Sequence, residues 1–193
     1  MQIISISGLD GSGKSTQIQL LKKHFEDKEK KVFYFHAVSF SVANLLNRRD
    51  AINRVSTRDV TKASWSAIFL RKVALFIDVH RFKMLVHKLD KQGYDYILTD
   101  RYFYDMIVNI SYLSKKRYIP FFFTKINTPD YKFFLEVNPD NIMSRDRAPS
   151  QGLQYLKDKD KLFKEYNKIF KLTKIDGNRE KEIIFEEIKN YIV

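Results

Sequence analysis

The 193-residue chain has no cysteine, only 6 glycines and 4 prolines, and no apolar run near the ~18 residues that a membrane span requires. Without cysteine there is no disulfide framework, no thiolate nucleophile and no cysteine-ligated metal. The four histidines, His24, His36, His80 and His87, are scattered rather than set at ligand spacing, which argues against zinc. Scarce glycine and proline exclude collagen-like and low-complexity chains. The N-terminus enters an apolar run without the basic start or small-residue cleavage site of a signal peptide, so the expected compartment is the cytoplasm.

What remains is a chain that is 44% hydrophobic, enough to bury a core, and of a length that suits one domain spanning residues 1–193. Charge is uneven. The overall balance is +12, and residues 44–91 carry 11 basic against 4 acidic side chains, whereas residues 157–193 carry 10 against 8. A basic middle suits either a phosphate-facing surface or an ordinary solvated face.

Residues 2–7 form a short β-branched run, followed at once by a glycine-rich segment and then by helical spacing over 16–25, a strand–turn–helix pattern. Further strands are expected at 31–36, 94–99, 131–137 and 172–175, alternating with helices as in a parallel sheet with crossovers. The segment 64–91 reads as one long helix, with Ile68, Leu70, Val73, Phe76, Ile77, Val79, Leu85 and Leu89 as expected core contacts and Trp65 packed near its start. A weaker pattern over 44–61 suggests a helical flap. Phe121, Phe122 and Phe123 suggest core or a subunit contact rather than a base-stacking platform.

Gly8-Leu9-Asp10-Gly11-Ser12-Gly13-Lys14-Ser15 fits G-x-x-x-x-G-K-[ST] between a strand and a helix, the context that a phosphate-binding loop needs. Glycines let successive N–H groups turn inward on phosphate oxygens, and the helix N-terminus adds positive partial charge. Lys14 is expected to reach the β- and γ-phosphates, and the Ser15 hydroxyl to ligate Mg²⁺. Gly8, Gly11, Ser12, Gly13 and Thr16 complete the expected ATP site.

This loop with its third-position Asp10 and Thr16-Gln17, then Asp100-Arg101-Tyr102, Pro129-Asp130, the run from Leu135 to Asp140, and Ile175-Asp176 follow the order and spacing of thymidylate kinases. The chain resembles that family over essentially its whole length. The resemblance implies an α/β P-loop NTPase fold of the nucleoside-monophosphate-kinase type, with a five-stranded parallel sheet flanked by helices and a short lid at about 144–156. It also implies transfer of the ATP γ-phosphoryl group to a nucleoside monophosphate, dTMP first, as part of nucleotide biosynthesis. Arg101 would then hold the acceptor phosphate, Asp100 would hold Mg²⁺ through water, and Asp10, Tyr102 and Asp105 would line the acceptor site. Because Gly11 stands where one layout of the family has a loop arginine, the catalytic arginine is expected from the lid: Arg147 for the transferring phosphoryl, with Arg145 covering the adenine. Asp176 and the loop after it would meet adenine, and Arg81 would meet the thymine carbonyl. The resemblance also suggests a homodimer through helices beside the acceptor site, for which the apolar stretch 67–79 is suitable.

Three departures concern the acceptor side. His36-Ala37-Val38-Ser39-Phe40-Ser41 replaces the family's Arg-Glu-Pro-Gly-Gly-Thr, leaving Arg48 or Arg49 as possible substitutes for its arginine. Ile77 occupies the place of the stacking aromatic. Asp105 and Val108-Asn109-Ile110 replace Ser and Ala-Tyr-Gln. Two alternatives therefore stay open: a kinase for another deoxynucleotide or a nucleoside, and a P-loop module with a regulatory or nucleic-acid-binding role. For the kinase, neither a specific nucleic acid nor a membrane is an expected partner.

Overall fold

The computed structural model describes residues 1–42, 63–145 and 148–192. Its centre is a five-stranded parallel sheet: β1 (Gln2–Gly8), β2 (Val32–His36), β3 (Tyr96–Asp100), β4 (Tyr131–Glu136) and β5 (Thr173–Asp176), in the order β2-β3-β1-β4-β5. β1 is central and near-continuously buried, as a strand covered on both faces must be, with Ile4 and Ile6 fully enclosed. Ile6 lies in register with Asp100 on one side and Phe133 on the other. β1 is therefore where the strand order reverses, and ligands in open α/β sheets bind at the carboxyl ends of strands at such a point.

The helices cover the two faces. α1 (Lys14–Glu26) starts from Gly13 in the left-handed region and packs on β3 and on α7 (Lys181–Ile192). α2 (Ala37–Phe40) is a single turn capped by the His36 side chain. α3 (Trp65–Lys91), capped by Ser64, packs on α4 (Phe103–Ser114), which packs on α6 (Gly152–Phe170). A 3-10 turn (Phe123–Lys125) and the short α5 (Pro139–Met143) complete the elements among the described residues.

All five strands expected from sequence are present, with ends moved by one or two residues. α3 differs in its packing. Ala74, Leu75, Val79, Phe82 and Leu89 are buried, but Leu70, Val73, Phe76 and Ile77, expected as core, are exposed. Trp65 is 81% exposed and stacks on Phe69 one turn on. The helix is apolar on two sides, and one of them meets α4. The flap expected at 44–61 lies outside the described residues.

Candidate active site

The loop after β1 turns on glycine. Gly11 has φ +79°, and a Cβ there would stand 2.8 Å from the Cγ2 of Ile142, so a side chain here would strain the backbone and push Ile142 aside. Lys14, the first residue of α1, is buried, and its Nζ donates to the Leu9 carbonyl at 2.5 Å and to Ser12 Oγ at 3.4 Å. Burial and the nearby Arg101 pull its pKa down to about 8, against the help of Asp105, Asp10 and Asp100. The cation is thus held inside the loop by groups that a phosphate can replace.

Facing the loop, the end of β3 supplies Asp100 and Arg101. The Ser15 hydroxyl donates to the Asp100 carboxylate, with Tyr34 OH 3.5 Å from the same oxygen. Arg101 has φ +65°, a left-handed backbone uncommon for a non-glycine residue and found where surrounding structure fixes a functional side chain. Its guanidinium pairs with Asp10, whose other oxygen accepts from Tyr155 OH at 2.8 Å. Burial opposes ionisation of Asp10, but the charge and hydrogen bond of Arg101, then Lys14 and the Tyr155 hydroxyl, outweigh it and bring the pKa to about 2. A loop, a strand end and helix α6 therefore meet in one chain of contacts: Tyr155, Asp10, Arg101.

A loop lysine, a hydroxyl–carboxylate pair and a fixed arginine opposite are the parts that phosphoryl transfer needs to align two anions and neutralise their charge. The family model for thymidylate kinase matches residues 6–188, nearly the whole chain. The chain belongs to the thymidylate kinase family. It is 27% identical over 207 residues to a thymidylate kinase of Thermosipho africanus, covering 98% of this chain and 96% of that one. It is 24% identical over 201 residues to a probable thymidylate kinase of Methanosphaera stadtmanae, with the same coverage. A solved thymidylate kinase from Candida albicans shares the fold at a TM-score of 0.65 and 19% identity, over 99% of this chain and 90% of that one. As in the rest of the family, ATP is the phosphoryl donor.

The other residues singled out by resemblance to thymidylate kinases are placed less uniformly. Tyr102 is fully buried among Phe82, Phe103 and Tyr104, and its hydroxyl donates to the Asn127 carbonyl at 2.5 Å, so its side chain faces the core. Asp105 is also committed inside the fold: its carboxylate accepts from Ser7 Oγ at 2.6 Å, Tyr102 N at 2.9 Å and Gly8 N at 3.3 Å, tying α4 to the loop. Arg81 is held on three sides within the fold. It donates to Asp78 at 2.9 Å and to the Phe40 carbonyl at 2.8 Å, and its guanidinium sits 4.2 Å over the Phe40 ring. Arg145 donates to the Gly11 carbonyl at 2.6 Å, clasping the segment after α5 to the loop. Asp176, at the end of β5, accepts from Asn178 and pairs with Arg179. Arg147, Arg48 and Arg49 lie outside the described residues.

Tyr155 and His36 are among the side chains to which the sequence reading gave no site role. Tyr155 belongs by spacing to the apolar stripe of α6 with Phe163 and Tyr166, and only its hydroxyl reveals a polar task. His36 lies in register with Asp100 at the neighbouring strand end and accepts from Ser39 N through Nδ1 at 3.2 Å, which leaves Nε2 to carry the proton of the neutral ring.

Proposed function

We propose that the chain transfers the γ-phosphoryl group of ATP to dTMP, yielding ADP and dTDP. The observation that carries this reading is the Lys14 loop facing an Arg101 guanidinium already aimed by Asp10 and Tyr155. Donor phosphates would lie against the inward N–H groups and the α1 N-terminus, with Lys14 exchanging the Leu9 carbonyl for β- and γ-oxygens. Arg101 would hold the acceptor phosphate. One of that phosphate's oxygens attacks the γ-phosphorus as the bond to the ADP oxygen breaks. Arg145 and Arg147 would bring lid charge over the donor, Arg147 to the transferring group, within one kinase domain whose lid spans about 144–156.

Magnesium fits the donor set. Ser15 and Asp100 offer two hard oxygen ligands already in contact, and among the described residues no cluster of three His, Cys, Asp or Glu stands ready to hold a metal alone, as suits an ion shared with phosphates. Bound there, with Asp100 acting through water, it would neutralise charge on the phosphates.

On the acceptor side, Arg81 would reach the thymine carbonyl, and Phe40 beneath it offers the ring that Ile77 does not. Asp105, occupied by three internal donors, is better read as the brace that holds Arg101 and the loop in register than as a base contact. The exposed stripe of α3 would join two copies into a homodimer. Among the described residues no helix is long and apolar enough to cross a membrane, and the cytoplasm is the proposed compartment.

A panel of monophosphates and nucleosides with coupled ADP detection, using Lys14→Ala as the blank, tests this reading. dTMP is expected to turn over fastest. Turnover of another acceptor with none of dTMP above blank would overturn the assignment.

A further inference from the structure

One turn beyond Tyr155, α6 carries a second buried cation. Lys159 is only 6% exposed. Its Nζ donates to Asn109 Oδ1 on α4 at 3.1 Å and lies 5.8 Å from the Tyr112 ring and 5.6 Å from the Tyr155 ring. An ammonium has three donors, and withdrawing it from water is costly unless opposite charge and hydrogen bonds replace its hydration. Among the described residues, Lys159 has one neutral amide oxygen and two ring faces, and no carboxylate at ion-pair distance.

The acidic groups that face it are engaged elsewhere: Asp10 with Arg101 and Tyr155, Asp105 with Ser7, Gly8 and Tyr102. Facing cations come from the end of β3 and from α1. Burial first, then Arg101 and Lys14, draw its pKa down to about 8 against Asp10 and Asp105. A gap between α4 and α6 that only needed filling would be filled as well by methionine or leucine. A lysine there makes sense if negative charge arrives later.

We propose that Lys159 is a positioning residue of the phosphoryl-transfer site whose counter-charge comes with the substrates: it is linked through Tyr155 and Asp10 to Arg101 and the phosphates gathered there. Nucleotide binding completes the protonation of Nζ, taking a fraction of a proton from solvent near pH 8, and the charged ammonium holds Tyr155, and through it Asp10, in the geometry that aims Arg101. No covalent bond is made or broken in this step. The inference rests on the kinase reading, since it needs phosphate anions at Arg101.

The test is calorimetry of dTMP binding to the ADP-loaded protein near pH 8, in two buffers of different ionisation enthalpy, so that linked protons are counted. Lys14, also near 8, titrates in wild type and variants, and Lys159→Arg, which keeps a charge beside it, isolates the Lys159 contribution. At pH 8 a group with a pKa of about 8 is half protonated, so wild type should take up about half a proton more than Lys159→Met. Lys159→Met should also bind dTMP several-fold more weakly. Lys159→Arg, permanently charged, should keep near-wild-type affinity while losing the same half proton, a signature that a purely structural role would not produce. Wild-type uptake and affinity in both variants overturn the proposal alone. Wild-type protein that binds neither nucleotide overturns the kinase reading, and this proposal with it.

Discussion

At the scale of single residues, the site depends on a few charges kept in place before any substrate arrives. Asp10 is the clearest case, because three partners converge on one carboxylate. Its folded pKa of about 2 lies below the ordinary aspartate value of 3.8. A group depressed in this way contributes stability above its unfolded pKa and loses it as pH falls through the folded value. That lowering corresponds to roughly 2 kcal/mol, present above about pH 4 and gone near pH 2. Asp10→Asn should therefore unfold about 2 kcal/mol more easily than wild type at pH 7 in urea titrations, with the gap closing as both are taken to pH 2. A gap that persists unchanged in acid would mean that the Arg101 pair is not its source. The same substitution frees Arg101, and kcat should fall more than folding stability alone explains. Lys14→Ala acts on the donor side, where losing one preorganised charge from the transition state should cost about 10²–10³-fold in turnover.

At the scale of elements, the question is which faces a helix shows and to what. The loop was readable because its residue types are dictated by local backbone: three glycines, a lysine and a hydroxyl within eight positions need no tertiary information. The strands were readable for a similar reason, through β-branched and aromatic runs between helical spacings. Tyr155, Lys159 and the internal partners of Asp105 were not. Tyr155 meets Asp10 across 145 residues and Asp105 meets Ser7 across 98, separations at which no periodicity carries a signal. α3 failed differently. Its spacing correctly announced a long amphipathic helix, but with apolar residues on two sides, pattern alone could not say which side meets the fold. The outer stripe of Trp65, Phe69, Val73, Phe76 and Ile77, continued by the 90%-exposed Phe121 stacked against Phe76, is larger than the isolated exposed hydrophobics common on monomers. It is the face assigned to the proposed homodimer. Phe76→Glu should place an unpaired charge in its middle, and light scattering at micromolar concentration should fall from twice the 23.0 kDa chain mass to once. Wild type at the monomer mass would remove the homodimer from the picture and leave the kinase site intact.

At the scale of the whole molecule, the sheet order explains why these parts meet. β1 stands between β3 and β4, so the loop after β1 and the Asp100-Arg101 corner after β3 emerge side by side, while α6 returns over them with Tyr155 and Lys159. A site built from three distant stretches of chain is a site whose ligands hold the fold together. A ligand that binds only the folded state at a hundred times its Kd adds about 2.7 kcal/mol, and for a chain of this size each kcal/mol raises Tm by about 2–4 °C. Mg·ADP and dTMP, each at that excess, should therefore raise Tm by roughly 5–11 °C apiece, and together by more than either alone. The +12 charge gives this experiment its control, because a basic protein also attracts polyanions with no site for them. Counterion release makes such binding fall steeply with salt, so an oligonucleotide should stabilise the protein at 50 mM salt and lose most of that effect by 200 mM. The nucleotide shifts, held by a buried loop lysine and a fixed arginine, should survive the same change. A salt-resistant oligonucleotide shift with none from dTMP would instead favour the nucleic-acid-binding module over the kinase.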